Sequence, residues 1–107
     1  MIDLDSLLPV TQPRFPEEFL GYLDGTPTWN HATQAWDVDG DMYLFDMSLA
    51  KIPVQFGRVT RDFDCSRNHL TSLAGAPQHV AGDFYCYANL LPNDVAKPPG
   101  VQGEFRP

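Results

Sequence analysis

The sequence predicts an α+β fold, mainly β: a short solenoid of about three 21-residue coils, closed at its N-terminal end by a helix. Three observations carry that expectation. The stretch Val59-Thr-Arg-Asp62-Phe63-Asp-Cys65-Ser-Arg-Asn68-His-Leu70 returns 21 residues later as Val80-Ala-Gly-Asp83-Phe84-Tyr-Cys86-Tyr-Ala-Asn89-Leu-Leu91. The same interval taken backwards from Val59 finds a degenerate copy in Val38, Asp41, Met42, Leu44, Met47, Leu49 and Ile52, and taken forwards it finds Val101-Gln-Gly-Glu104-Phe105. A fixed period near 20 residues marks units that bury their apolar faces only against their neighbours. The third observation is an amphipathic stretch just ahead of the array.

That stretch is Phe15 to Leu23, where Pro16 suits a first helical position, Glu17 and Glu18 complement the helix dipole, and Phe19, Leu20 and Leu23 share a face. Asp24-Gly25-Thr26-Pro27 reads as its end. A shorter turn of helix is expected within Met1 to Val10, with Leu4, Leu7 and Leu8 at helical spacing. Trp29 and Trp36 flank a polar hairpin-like turn. The domain plan is therefore a helical cap and turn at 1–37 and the repeat array at 38–107, forming one compact domain, since 107 residues are too few for two.

Composition bounds the function. A hydrophobic fraction of 43% with 12% aromatic residues is that of a folded chain, and no apolar run is long enough for a membrane span. Asp3 and Asp5 stand where a signal peptide carries positive charge, so a cytoplasmic home is expected. The net charge of −7 argues against direct nucleic-acid binding, which relies on lysine and arginine displacing counterions. It favours basic or neutral partners. Cys65 and Cys86 occupy equivalent positions in consecutive copies and read as buried free thiols.

Within each copy, alternation along a strand turns Phe63 and Cys65 inward and Asp62, Asp64 and Ser66 outward. Asn68 and Asn89 fall where the strand leaves the sheet, where their amides can satisfy backbone groups of the turn. Stacking the copies about 4.8 Å apart creates columns on the outer face. One holds Asp41, Asp62, Asp83 and Glu104; a second holds Tyr43, Asp64 and Tyr85; a third holds Phe45, Ser66 and Tyr87, with Arg106 following Glu104 at the edge. Four like charges in a row repel by about 1 kcal/mol per neighbouring pair. The acids either accept local backbone hydrogen bonds or, with the exposed rings beside them, receive a basic protein segment. The predicted binding residues are Asp41, Tyr43, Phe45, Asp62, Asp64, Asp83, Tyr85, Tyr87 and Glu104.

No catalytic set, cofactor or metal is expected. Asp37, Asp39 and Asp41 alternate as in a calcium loop, yet Met42 and Ser48 stand where an EF-hand requires glycine and glutamate. Cys65 and Cys86 with His69 and His79 lack the Cys-x-x-Cys spacing of zinc sites, and inward thiols make poor nucleophiles. No glycine-rich phosphate loop or nucleophile elbow occurs.

With Phe63-x-Cys65-x-x-Asn68-x-Leu70-x-x-Leu73 in view, the chain resembles a short leucine-rich repeat. More closely, Asp62 to Pro77 is similar to a repeat found in uncharacterised proteins of bacteriophages and their hosts, its Leu-Ala-Gly-Ala-Pro ending being the specific part. The resemblance covers roughly residues 36 to 105. The third copy departs from it, because Leu91-Pro92-Asn93-Asp94-Val95 lacks the Leu-Thr-Ser-Leu ending. It implies a leucine-rich-repeat-like fold and a phage context, and no activity. The functional expectation is a small intracellular protein-binding module that meets a host or phage protein through the outer sheet face. An acidic inhibitor of a host nucleic-acid-binding or anti-phage defence protein is the alternative, and a structural virion or assembly protein a further one.

Overall fold

Most strands of this chain are set by parallel pairing across an interval of about 21 residues, and all of them build outward from the longest, at the centre of the sheet. The computed structural model describes residues 13–107; the turn of helix expected at Met1 to Val10 lies outside them. A single helical turn, α1 (Glu17–Leu20), precedes an antiparallel hairpin of β1 (Leu23–Asn30) and β2 (Ala35–Tyr43). Trp29 pairs with Trp36 across it, their rings meeting edge to face at 5.5 Å, and Asn30 Oδ1 closes the turn by accepting the Ala32 and Thr33 N–H groups at 3.0 and 3.3 Å. Gly25 and Gly40 face each other where a Cβ on either would strike the opposite backbone carbonyl, which is why a bare backbone is needed there.

On its other side β2 is matched by two short strands in line. β3 (Phe56–Val59) runs parallel to the Trp36 end and β4 (Phe63–Asp64) to the Met42 end. The chain kinks between them, and Thr60 fills the kink by accepting the Gly40 N–H at 2.8 Å and donating to Asp39 Oδ1 at 3.0 Å. β5 (His79–Val80) then pairs with β3 and β6 (Phe84–Tyr85) with β4, while Val101 bridges to Val80 and β7 (Phe105–Arg106) pairs with β6. The result is one curled half-barrel sheet, ordered β5-β3-β2-β4-β6-β7 with β1 on the far edge of β2. Its strands are parallel apart from the hairpin. No helix among the described residues is long and apolar enough to cross a membrane.

The predicted α+β, leucine-rich-repeat-like solenoid of three coils with a helical cap is therefore corrected to a small, curled, single-sheet β domain. The 21-residue spacing appears as strand register, and the segments between rungs, such as 86–100, form no regular element that could make a second wall. The cap is minimal because Pro16 and Gly21 confine it to four residues. Leu20, expected on its buried face, is 45% exposed, while Phe19 is buried. What covers the first edge of β2 is β1. Its Asp24-Gly25-Thr26-Pro27 read as a helix breaker because those residue types are poor in strands, yet an edge strand accepts proline, and the Gly25–Gly40 contact requires glycine. β2 also runs without a break across the 37/38 division expected between cap and array.

The concave side is filled by the inward positions. Phe56, Phe63, Phe84 and Phe105 form a row of tilted and edge-to-face rings with centroids 5.2, 5.2 and 5.6 Å apart. Such pairs contribute about 0.5–1.5 kcal/mol each beyond their area. Phe15 extends the row through Trp36 and Phe56. Met42, Leu44, Cys65 and Cys86 line the same core.

Each rung leaves the sheet through a left-handed residue: Asp46, Arg67 and Ala88, with φ of 56°, 56° and 55°. In the second and third rungs an asparagine follows and organises the turn, as its position implied. Asn68 is buried; its Nδ2 donates to the Leu44, Cys65 and Ser66 carbonyls at 2.7, 3.0 and 3.1 Å, and its Oδ1 accepts the Met47 and Leu49 N–H groups, both at 3.0 Å. Asn89 repeats the pattern with the Cys65, Cys86 and Tyr87 carbonyls and the Leu70 N–H. Replacing Asn68 with alanine strands several backbone groups away from water, each worth about 1–3 kcal/mol when unsatisfied. Asn68→Ala is thus expected to destabilise by about 3 kcal/mol or more, and Asn89→Ala by less because Asn89 is half-exposed. Urea unfolding of the two variants checks the order.

Candidate functional site

The convex side of the sheet carries the predicted outer columns, and their fates differ. In the acidic column each carboxylate reaches one rung ahead: Asp41 Oδ1 accepts the Asp62 N–H, Asp62 Oδ1 the Asp83 N–H and Asp83 Oδ1 the Glu104 N–H, all at 2.8 Å. Asp37 does the same for the Arg58 N–H at 2.9 Å. These bonds turn a repulsive row into a register lock. Asp41 is only 8% exposed as a consequence. The Asp83 carboxyl is held below the usual carboxylate range, first by the Glu104 N–H and then by the Tyr85 hydroxyl. Glu104, at the last rung, pairs instead with Arg106 two residues on.

The alternating Asp37, Asp39 and Asp41 are committed to the Arg58 N–H, the Thr60 hydroxyl and the Asp62 N–H. No group of three or more metal-ligating side chains comes together among the described residues. Cys65 and Cys86 are free and buried. His69 and His79 are exposed, on the outside of a core that holds the thiols.

The other two columns do converge. Register places Tyr43, Asp64 and Tyr85 side by side on β2, β4 and β6. Beyond the strand ends the backbone bonds from Asp46 to Ser66 and from Arg67 to Tyr87 keep Phe45, Ser66 and Tyr87 in step. The middle rung bears small polar residues and both neighbours bear rings. The outer face therefore has a trough, with Tyr43 and Phe45 as one wall, Tyr85 and Tyr87 as the other, and Asp64 and Ser66 as the floor. The walls stand two strand spacings apart, about 9.6 Å between backbones. Phe45 and Tyr87 are 49% and 39% exposed, whereas Ser66, between them, is 1% exposed.

Ser66 donates to Asp64 Oδ1 from both its hydroxyl, at 2.6 Å, and its N–H, at 2.9 Å. Asp64 Oδ2 accepts no hydrogen bond from the described residues. Tyr85 is pinned by its hydroxyl, which donates to Asp83 Oδ2 at 3.0 Å. That bond is the main cause raising the Tyr85 phenol above its ordinary range; for Tyr43 the main cause is burial, followed by the Asp41 charge. Both phenols stay protonated at neutral pH. An open depression of about 620 Å³ lies over this end of the trough, lined by Asp64, Tyr85, Tyr87, Arg106 and Pro107.

Sequence reasoning placed Tyr43, Phe45, Asp64, Tyr85 and Tyr87 on this face, and the structure brings them together. It missed Tyr22, which is 47% exposed and whose carbonyl accepts the Tyr43 N–H at 2.7 Å, continuing the Tyr43–Asp64–Tyr85 row onto the hairpin edge. No repeat signal could have found it, since Tyr22 meets Tyr43 through the antiparallel hairpin and lies in a stretch whose sequence predicts helix. Ser66, expected on the outer face, is instead buried, with its hydroxyl and N–H both bonded to Asp64. Comparisons with protein-family models, with curated proteins and with solved structures found no match.

The inward thiols give a testable pH dependence. Burial pushes the Cys65 thiol up strongly and raises Cys86 to about 11. A folded thiol that titrates above its unfolded counterpart, near about 8.5, contributes stability that is complete below that pH and lost as pH rises through the folded value. Stability measured by urea unfolding is therefore expected to fall between pH about 8.5 and about 11. The raised Tyr43 and Tyr85 phenols act in the same direction, so a Cys65→Ala/Cys86→Ala variant should show a shallower slope rather than none. Native alkylation at neutral pH should be slow for both thiols, and rapid labelling of either contradicts their burial.

Proposed function

We propose that this chain is a small protein-binding module, phage-encoded and working in the host cytoplasm, that grips a host or phage protein through the aromatic trough on its outer sheet face. The observation that carries this reading is the in-register exposure of Phe45 and Tyr87 on either side of a floor made by half-buried Asp64 and buried Ser66. Exposed rings that flank a polar floor are the kind of surface that anchors protein partners, because aromatic side chains bury much area for little lost freedom. The phage context rests on the resemblance of the repeat, and the cytoplasmic one on two buried thiols left unpaired. No chemistry of catalysis is part of the proposal.

The acidic-inhibitor alternative draws on the net charge of −7. Against it, three of the four column acids each direct one oxygen into the sheet. Salt separates the two readings, since an electrostatic mimic loses most of its affinity at high ionic strength and an aromatic interface loses little.

The test uses the full chain to capture a partner from host lysate, followed by titration of the identified partner against wild type and a Tyr85→Ser/Tyr87→Ser variant. Neither ring fills the core, so the variant should melt close to wild type. Its binding should weaken by about 2 kcal/mol or more if these rings are anchors. Unchanged binding moves the functional surface elsewhere, and a large drop in melting temperature means the rings hold the fold.

A further inference from the structure

The trough has a shape and a charge that select one kind of side chain, and its own unused groups say which. Its floor offers one carboxylate oxygen, Asp64 Oδ2, that no described residue bonds. The Oδ1 atom of the same group is fixed by Ser66, so the free oxygen is held in place rather than swinging. Its walls are rings one rung away on either side, of which Tyr85 is pinned by Asp83. Further carboxylates of Asp62 and Asp83 lie in the neighbouring column, and Arg106, which lines the depression from the strand beyond Tyr85, is paired with Glu104. The floor is thus an acidic point beside aromatic rings, and the cation that lines the depression with it, Arg106, is already paired with Glu104.

We propose, building on the binding role above, that the trough is a receptor for a single arginine side chain presented by an extended segment of the partner protein. The guanidinium lies flat between the Tyr43 and Tyr85 walls and donates to Asp64 Oδ2, with Tyr87 covering its outer edge. Three features favour arginine over lysine. A guanidinium is planar and stacks on ring faces; it donates in a fixed fork to a carboxylate; and it loses less on leaving water than an ammonium does. The spacing of about two strands between the walls suits one planar group and excludes a second ring pair. An arginine entering here completes the floor's hydrogen bonding and offsets part of the acidic charge around it. The Tyr85 ring, already pinned by Asp83, reduces the ordering cost of binding.

The experiment uses the full-length, isotope-labelled protein and three small probes: N-acetyl-arginine-methylamide, its lysine counterpart and its citrulline counterpart, which keeps the shape of arginine without the charge. Amide shifts are followed by NMR. The arginine probe should give saturable shifts at Asp64, Ser66, Tyr85 and Tyr87, with the lysine probe about tenfold weaker, a difference of about 1.4 kcal/mol, and the citrulline probe giving none. Asp64→Asn keeps the Oδ1 acceptor for Ser66, so the fold should hold while arginine binding weakens about tenfold or more. Tyr87→Ala removes one wall and leaves Asp64 intact, and should also weaken the probe. Equal binding of citrulline or lysine, no effect of Asp64→Asn in a folded variant, or shifts that map away from the trough overturns the assignment. If the arginine probe fails while Tyr85→Ser/Tyr87→Ser still weakens the captured partner, the arginine receptor falls and the binding face stands. If both fail, the face itself is not the site.

Discussion

The rest of this structure depends on one repeated hydrogen bond, in which an aspartate oxygen accepts the backbone N–H of the residue 21 positions ahead. Asp41, Asp62 and Asp83 make it in succession. It sits at the kink of each rung, where regular ladder pairing lapses between the two short strands, and it supplies the acceptor that the lapse removes. Because a side chain of one rung is bonded to the backbone of the next, slipping the register by one residue breaks the lock and turns every inward ring to the wrong face. Phe63 over Phe84 and Cys65 beside Cys86 follow from it inside, and Asp64 between Tyr43 and Tyr85 follows from it outside.

This lock divides labour among residues that look alike in sequence. Asp62 and Asp64 are two residues apart on the same outward parity, yet one carboxylate is built into the sheet edge and the other keeps an oxygen free on the trough floor. The difference lies in what stands next to each one rung on. Asp62 meets an N–H at the kink, whereas Asp64 lies beside a paired strand whose backbone is already satisfied. Charge alone would make the column the obvious binding surface. Hydrogen bonding moves the free acid one column over, to where the rings are.

Much of the strand register was legible, because a cysteine, an asparagine and a phenylalanine recurring at one interval leave few other pairings. The inward and outward assignments of Phe63, Cys65, Phe84 and Cys86 follow from that interval and simple alternation. The hairpin was legible only in its turn: Trp29 and Trp36 mark its neck, but the Gly25-Thr26-Pro27 stretch of β1 carries residues that argue against a strand unless the paired Gly40 is known. The helix was overread, since Phe19 and Leu23 are buried or half-buried for different reasons, one on α1 and the other on β1. Of the site, the rings were visible as columns. The buried Ser66 and the added Tyr22 were not, because strand alternation says nothing of how deeply an outward position is packed, and Tyr22 depends on an antiparallel partner that no repeat announces.

The claim that these aspartates serve as backbone acceptors, and not as a charge display, is tested most directly at Asp62. Thermal and urea unfolding of Asp62→Asn and Asp62→Ala separate charge from hydrogen bonding, because asparagine keeps the Oδ1 acceptor for the Asp83 N–H and alanine does not. The account predicts that Asp62→Asn stays within about 1 kcal/mol of wild type while Asp62→Ala loses about 1–3 kcal/mol. Stabilisation by both substitutions would contradict it, since repulsion along the column would then outweigh the bond each carboxylate makes.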